Sequence, residues 1–161
     1  MDLTPKHASE SATEMVQVVL PNDANPLGFI LGGTVMHLID IAGAIACHRH
    51  ARSRVVTAAV DDLQFLHPIK VGDLIILKSH VTCAFKTSLE VQVDVFSEEA
   101  LTGKRLMTST AFLTFVAVAD NGDRIPVPPL IVETDDERRV CDEARARREQ
   151  RLKKKVKSIS V

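Results

Sequence analysis

One helical stretch and the β-like segments that follow it set what this chain can fold into. Between Thr34 and Ala51, apolar residues recur at Val35, Leu38, Ile39, Ala42, Ile45 and Ala46, the i, i+3, i+4, i+7 spacing of a helix. Met36, Gly43, Ala44 and Cys47 leave the other side small or apolar too, so this helix should be buried on most sides. Four long β-like segments come next: 54–66, 73–85, 87–99 and 104–119. In the third, Leu89, Val91, Val93 and Val95 alternate with Glu90, Gln92, Asp94 and Phe96, the period-2 pattern of a half-buried strand. No parallel crossover pattern separates these segments, so the sheet should be antiparallel. An α+β architecture follows: a sheet wrapped around one central helix satisfies both apolar faces. One helix cannot cover the sheet's edges, and pairing between subunits would remove that exposure, so at least a dimer is expected.

The rest of the chain frames this core. Residues 1–13 read as a flexible N-terminal arm. A valine-rich strand at 14–20 opens the main domain, taken as 14–132. "PNDANPLG" at 21–28 is a loop by its Pro, Asn, Asp and Gly content. Beyond the extended "PVPPL" at 126–130, residues 133–161 form a charged helix and tail, with acids leading and bases trailing as the helix dipole favours. Few apolar residues mark that helix, so it should lie on the surface or fray, with the cluster Lys153 to Lys157 as a solubilising end.

Over 161 residues the formal net charge is -1, which argues against a nucleic-acid partner. No apolar run approaches the ~18 residues of a membrane span, and the polar N-terminus lacks a signal-peptide core, so no membrane partner is expected. Cys47, Cys83 and Cys141 are odd in number and widely spaced. They argue against a disulfide or zinc site and for a reducing, cytoplasmic setting, with Cys47 and Cys83 as small core residues. His48 and His50 close the helical stretch and are expected to cap or solvate its end. With Cys47 their spacing does not put three ligands on one helix face, so no metal is expected.

Asp40 is the residue that fits least well. It sits between Ile39 and Ile41 in "PLGFILGGTVMHLIDIAGA", where an unpaired carboxylate is costly to bury. Asn25, Gly28, Gly32, Gly33 and Asp40, then Val55-Val56-Thr57, Phe65, Pro68, Gly72 and Asp73, resemble the pattern of the hotdog-fold acyl-CoA thioesterases, closest to the brain-type and bacterial cytosolic acyl-CoA hydrolases. The resemblance covers about residues 14–150. It implies a hotdog fold working as a dimer, often a trimer of dimers. It also implies a composite site, with the asparagine from one subunit and the aspartate from the other.

That chemistry is reasonable on its own terms. Thioester hydrolysis needs an activated water or a nucleophile, and a place for charge on the carbonyl oxygen. A helix N-terminus offers unpaired N–H groups, and glycines there permit close approach, so Gly32 and Gly33 are oxyanion-site candidates. Asp40 lies roughly 10 Å along the helix from them, too far for a carbonyl held at its own helix's start but not for one held by a partner. It would act as a general base or as a nucleophile, and the sequence leaves both open. Asn25 would orient the water or the carbonyl. His37, one turn before Asp40, suggests a dyad, but no serine or cysteine stands at a nucleophile's spacing, and His37 reads better as structural or pocket-lining.

Coenzyme A enters only as part of the substrate, with no separate cofactor, and its phosphates call for basic and hydroxyl groups. Lys86, Thr87 and Ser88 match the family's CoA-contacting loop. Arg54 and Thr57 flank the expected pocket, and Arg145, Arg147 and Arg148 are candidates for the nucleotide phosphates. Two alternatives stand beside the thioesterase reading. "NDANPLG" also resembles the motif of hotdog enoyl-CoA hydratases, but Gly28 stands where their essential histidine would be. A non-catalytic acyl-CoA sensor would need a DNA-binding segment, and none is visible.

Overall fold

The computed structural model describes residues 2–159, with side chains through Lys155. The side chain of Lys157 and residues 160–161 of the expected tail lie outside the described residues. In chain order the elements are β1 (Lys6–His7), β2 (Thr13–Val18), α1 (Gly32–Ala51), β3 (Arg54–Asp61), β4 (Leu74–Ala84), β5 (Ser88–Glu98), β6 (Arg105–Val118), β7 (Leu130–Ile131) and α2 (Asp135–Ile159). Five of the strands form one antiparallel sheet in the order β2-β4-β5-β6-β3. It curls around α1, the hotdog arrangement expected from the sequence.

The alternation of β5 explains the core. Leu89, Val91, Val93 and Val95 are all fully buried on the side facing α1. From the helix, Leu38, Ile39, Ala42 and Ala46 meet them. Helix and sheet approach so closely at Gly43 that a Cβ there would come within 2.9 Å of the Phe115 ring. The helix is not buried on most sides, however. Gly33, Met36 and His37 are exposed and Asp40 is half-buried, so one face of α1 is uncovered in the single chain.

Several peripheral expectations change. The segment expected to be a loose arm is built into the fold: β1 pairs with β7, and the buried Ser11 hydroxyl accepts a hydrogen bond from the Val81 amide. Its polar composition concealed this, because backbone pairing and buried hydroxyls leave no apolar pattern. His50 does not solvate the helix end. It is fully buried, with Nε2 bonded to the Pro128 carbonyl, and burial lowers its pKa. Arg52, in a left-handed conformation, ends α1 instead.

The largest departure is α2, which docks on the outer face of the sheet. Cys83 of β4 and Cys141 of α2 form a disulfide across 58 residues of sequence, contrary to the expectation that the cysteines stand apart. The fold brings together what spacing kept apart. Cys47 is free and buried, as expected. Arg147 of α2 grips Glu90 with two hydrogen bonds, Nη2 to Oε1 at 2.7 Å and Nε to Oε2 at 3.0 Å, and Thr82 donates to the same carboxylate. Its guanidinium also lies 3.8 Å from the centre of the Phe112 ring. Glu90 is on the polar phase of β5, yet only 1% exposed, because α2 covers it. Arg151 reaches Asp61 at the end of β3. No helix among the described residues is long and apolar enough to cross a membrane.

Candidate active site

The loop before α1 is organised by Asn25. Its Oδ1 accepts from the amides of Leu27 (3.0 Å) and Phe29 (3.2 Å), while its own amide N–H donates to the Phe29 carbonyl. Gly28, at φ +82, makes the turn that closes this ring. The side-chain nitrogen of Asn25 has no hydrogen-bond partner among the described residues. Asn25 borders a cavity of about 350 Å³ whose walls include Gly32, Val35, Phe65 and Ile69, with Ser109 on the sheet side.

At the mouth of this cavity α1 begins without a side-chain cap. The first amide to find a helical partner is that of Val35, bonded to the Leu31 carbonyl. The amides of Gly32, Gly33 and Thr34 donate to nothing among the described residues, leaving the positive end of the helix open. A Cβ on Gly32 would sit 3.4 Å from the Phe65 ring, whereas one on Gly33 would meet nothing within 4 Å.

Asp40 lies on the uncovered face of α1, two turns further on. Thr57 of β3 donates to its Oδ1 at 2.6 Å. A bulge between Thr57 and Ala59 shifts the pairing of β3 with β6 at this point. Thr57, expected among the CoA contacts, is thus joined to the carboxylate. His37 makes no hydrogen bond to Asp40, so there is no dyad. Asp40 does not line the 350 Å³ cavity. Within one chain the Asn25–Gly32 half and the Asp40–Thr57 half therefore stand apart.

The remaining candidates are scattered. Lys86 and Thr87 form the tip of the β4–β5 hairpin and Ser88 opens β5. Arg148 stacks 4.9 Å from the ring of Phe85, beside that tip. Arg145 pairs with Asp142, and Arg147 is engaged with Glu90. Arg54 pairs with Asp120 at 2.5 Å, on a wide surface hollow of about 820 Å³ at the far end of α1. No metal-binding cluster of histidine, cysteine and acidic side chains occurs among the described residues.

This architecture is shared with known proteins. The model of the thioesterase superfamily matches residues 27–104. An acyl-CoA thioester hydrolase of Bacillus subtilis is 37% identical over 97% of this chain and 91% of its own length. The chain belongs to the hotdog-fold acyl-CoA thioesterase family. The human cytosolic acyl coenzyme A thioester hydrolase is 32% identical over 89% of this chain, which spans only 38% of that longer protein. An apo-hexameric acyl-CoA thioesterase superposes with a TM-score of 0.88 at 41% identity, covering 94% of this chain and 97% of that one. An acyl-CoA hydrolase of Staphylococcus aureus, solved with butyryl coenzyme A, coenzyme A and coenzyme A disulfide, superposes at 0.87 with 35% identity, covering 96% and 94%.

The Staphylococcus aureus acyl-CoA hydrolase has also been solved as asparagine-, aspartate- and threonine-to-alanine variants. Those positions lie fifteen and then seventeen residues apart in its chain. Asn25, Asp40 and Thr57 have the same spacing here. Sequence reasoning missed the cavity-lining Phe65 and Ser109. Phe65 carried a signal in the family pattern; Ser109 carried only its place in "MTST", a polar interruption of an otherwise apolar strand.

Proposed function

We propose that this chain is an acyl-CoA thioesterase, hydrolysing the CoA thioester of a fatty acid to the free acid and coenzyme A, with water as the only co-reactant. The observation that carries the reading is the Asp40 carboxylate, held by Thr57 on the face of α1 left open. The thioester carbonyl oxygen would rest on the free amides at the start of α1. One such donor is worth ~3 kcal/mol to the charged intermediate. Gly33 supports this. A Cβ there would meet nothing within 4 Å, so packing within its own chain does not require a glycine. The missing side chain fits a group that approaches from outside the chain.

The separation of the two halves supports a site made by two chains. Asn25 and the α1 N-terminus of one protomer would face Asp40 and Thr57 of another. β3 is the sheet edge beside this face, and Val56 and Val60 on it are about half exposed. Pairing through β3 would cover them and bring the open faces of two α1 helices together. Asp40 then either removes a proton from the attacking water or attacks the carbonyl itself to form a mixed anhydride; Asn25 Nδ2 orients the water or the carbonyl. Lys86, Thr87, Ser88 and Arg148 form the best-gathered set for the CoA phosphates, with Arg54 at a more distant hollow. Arg145 and Arg147 already hold acidic partners. The hexameric relative supports a trimer of dimers, and the cytosolic human relative supports a cytoplasmic place of work.

The test is thiol release from acyl-CoAs of two to eighteen carbons, with wild type and Asp40→Asn side by side. Turnover by wild type and a loss of about a hundredfold or more in the variant are expected. Binding without thiol release would favour a sensor. In single turnover in ¹⁸O-water, a first-turnover acid that carries an oxygen from Asp40 identifies the anhydride route, with water attacking the aspartyl carbon of the anhydride.

A further inference from the structure

Among the described side chains of α2, only Cys141 and Ala144 are buried. Both pack against Cys83 of β4, with Phe85 beside them. Cys141, Ala144 and Arg148 follow at i, i+3 and i+7, so they share one face of the helix. That face runs from the disulfide to the tip of the β4–β5 hairpin, where the Arg148 guanidinium lies over the Phe85 ring. Arg148 has no acidic partner among the described residues, whereas Arg139, Arg145, Arg147 and Arg151 each have one.

The tip itself is fixed. The Phe85 amide donates to the Ser88 carbonyl, and the Lys86 and Thr87 carbonyls accept from the amides of Val127 and Ala117. What varies is the setting of α2 above it. Arg147 and Arg151 tether the helix through long side chains, which tolerate a roll about its axis. A disulfide between two short side chains does not; it holds the Cα atoms of Cys83 and Cys141 4.8 Å apart. The disulfide therefore sets which way the Arg148 face points.

We infer that the Cys83–Cys141 disulfide is a redox-responsive clamp on coenzyme A recognition: oxidised, it holds Arg148 at the hairpin tip, and reduced, it lets α2 roll and weakens that contact. The inference rests on the assignment of Lys86, Thr87, Ser88 and Arg148 to the CoA phosphates above, and Arg148 is the positioned residue. The proposed cytoplasmic setting supports it, because thiols are kept reduced there and the disulfides that do form are mostly transient or redox-sensing. The reductant is a dithiol. It supplies two electrons and two protons, the S–S bond breaks, Cys83 and Cys141 each become a thiol, and the dithiol closes to its own disulfide. Both cysteines are buried, so attack waits on the first turns of α2 lifting. A hollow of about 80 Å³ between Asp136, Glu137 and Val140 on one side and Ala8, His80 and Thr82 on the other leaves that part the more loosely packed.

The test compares air-oxidised and dithiol-reduced full chain, following hydrolysis by loss of thioester absorbance because the dithiol would obscure thiol release. Titration of the denatured chain should find one thiol, Cys47, before reduction and all three cysteines after it. Reduction should raise KM about fivefold or more with kcat unchanged. Cys141→Ala should show the raised KM with or without dithiol, and so should Arg148→Ala. Reduction needs no substitution, so the comparison stands if Cys141→Ala does not fold. An unchanged KM after the thiol count has risen overturns the clamp, as do three thiols in the oxidised chain. A redox effect that survives in Arg148→Ala overturns the role given to that residue. A chain inactive in both states overturns the enzyme reading alone. The clamp is then read from the Kd of S-ethyl-CoA, a thioether with no thiol and no scissile thioester: weaker binding on reduction supports it, and equal binding overturns it.

Discussion

The two faces of α1 obey different rules. On the packed face, Gly43 is a glycine because Phe115 leaves no room for anything larger. On the open face, Gly33 is a glycine although its own chain leaves room for a side chain. The packed face carries Leu38, Ile39, Ala42 and Ala46 and explains why the chain folds. The open face carries Asp40, Met36 and His37 and explains nothing about folding. A glycine that packing does not require, on the same face as a carboxylate whose one bonded partner is Thr57, marks where function sits.

Substitutions that separate stability from turnover should sharpen this contrast. The largest effect is expected at Asp40→Asn: kcat falls by about a hundredfold or more with the melting temperature nearly unchanged. Gly33→Ala should cut kcat/KM by about tenfold or more with the melting temperature nearly unchanged, since a Cβ there meets nothing within 4 Å of its own chain. Gly43→Ala should do the reverse. It forces a Cβ into the Phe115 ring and should lose about 1–3 kcal/mol in denaturant unfolding, with kcat per folded enzyme retained. If Gly33→Ala unfolds the protein, or Gly43→Ala leaves it untouched, the contrast is broken. Thr57→Val should weaken turnover less than Asp40→Asn, by about tenfold, because it removes one hydrogen bond and leaves the carboxylate.

The smallest effect is a pH dependence of stability from two histidines held low by burial. Burial holds His50 below its ordinary value of 6.5, and the same cause lowers His80. The unfolded chain then takes up these protons at a higher pH than the folded one. Stability is therefore complete above pH 6.5 and declines as pH falls below it, by at most about 1.4 kcal/mol per pH unit for each proton. Melting curves from pH 7.5 to 5 should show this slope, reduced in His50→Gln.

The central helix and the long strands were legible because each buries a single periodic face. Asp40 was legible because it stands between Ile39 and Ile41 in a stretch that is otherwise almost wholly apolar. The docking of α2 was not, since its anchors are polar or covalent: Glu90 lies on the hydrophilic phase of β5, and Cys83 and Cys141 are far apart in the chain. The end of β3 was also misplaced. The apolar run to Leu66 reads as strand, but Asp62 turns into a left-handed conformation at φ 48, and the amide of Leu66 bonds instead to the Thr108 carbonyl. Thr57 was noticed only as a pocket-flanking residue. Its link to Asp40 joins a strand to a helix and has no signature in spacing.

Complementation between two inactive chains tests the composite site most directly. Asn25→Ala and Asp40→Asn chains, each inactive alone, would be unfolded together and refolded as a mixture. If the site joins Asn25 of one chain to Asp40 of another, half the dimers are mixed and each holds one intact site. Activity should return to about a quarter of wild type. A mixture no more active than its two parents would place both residues of each site in the same chain and contradict the reading.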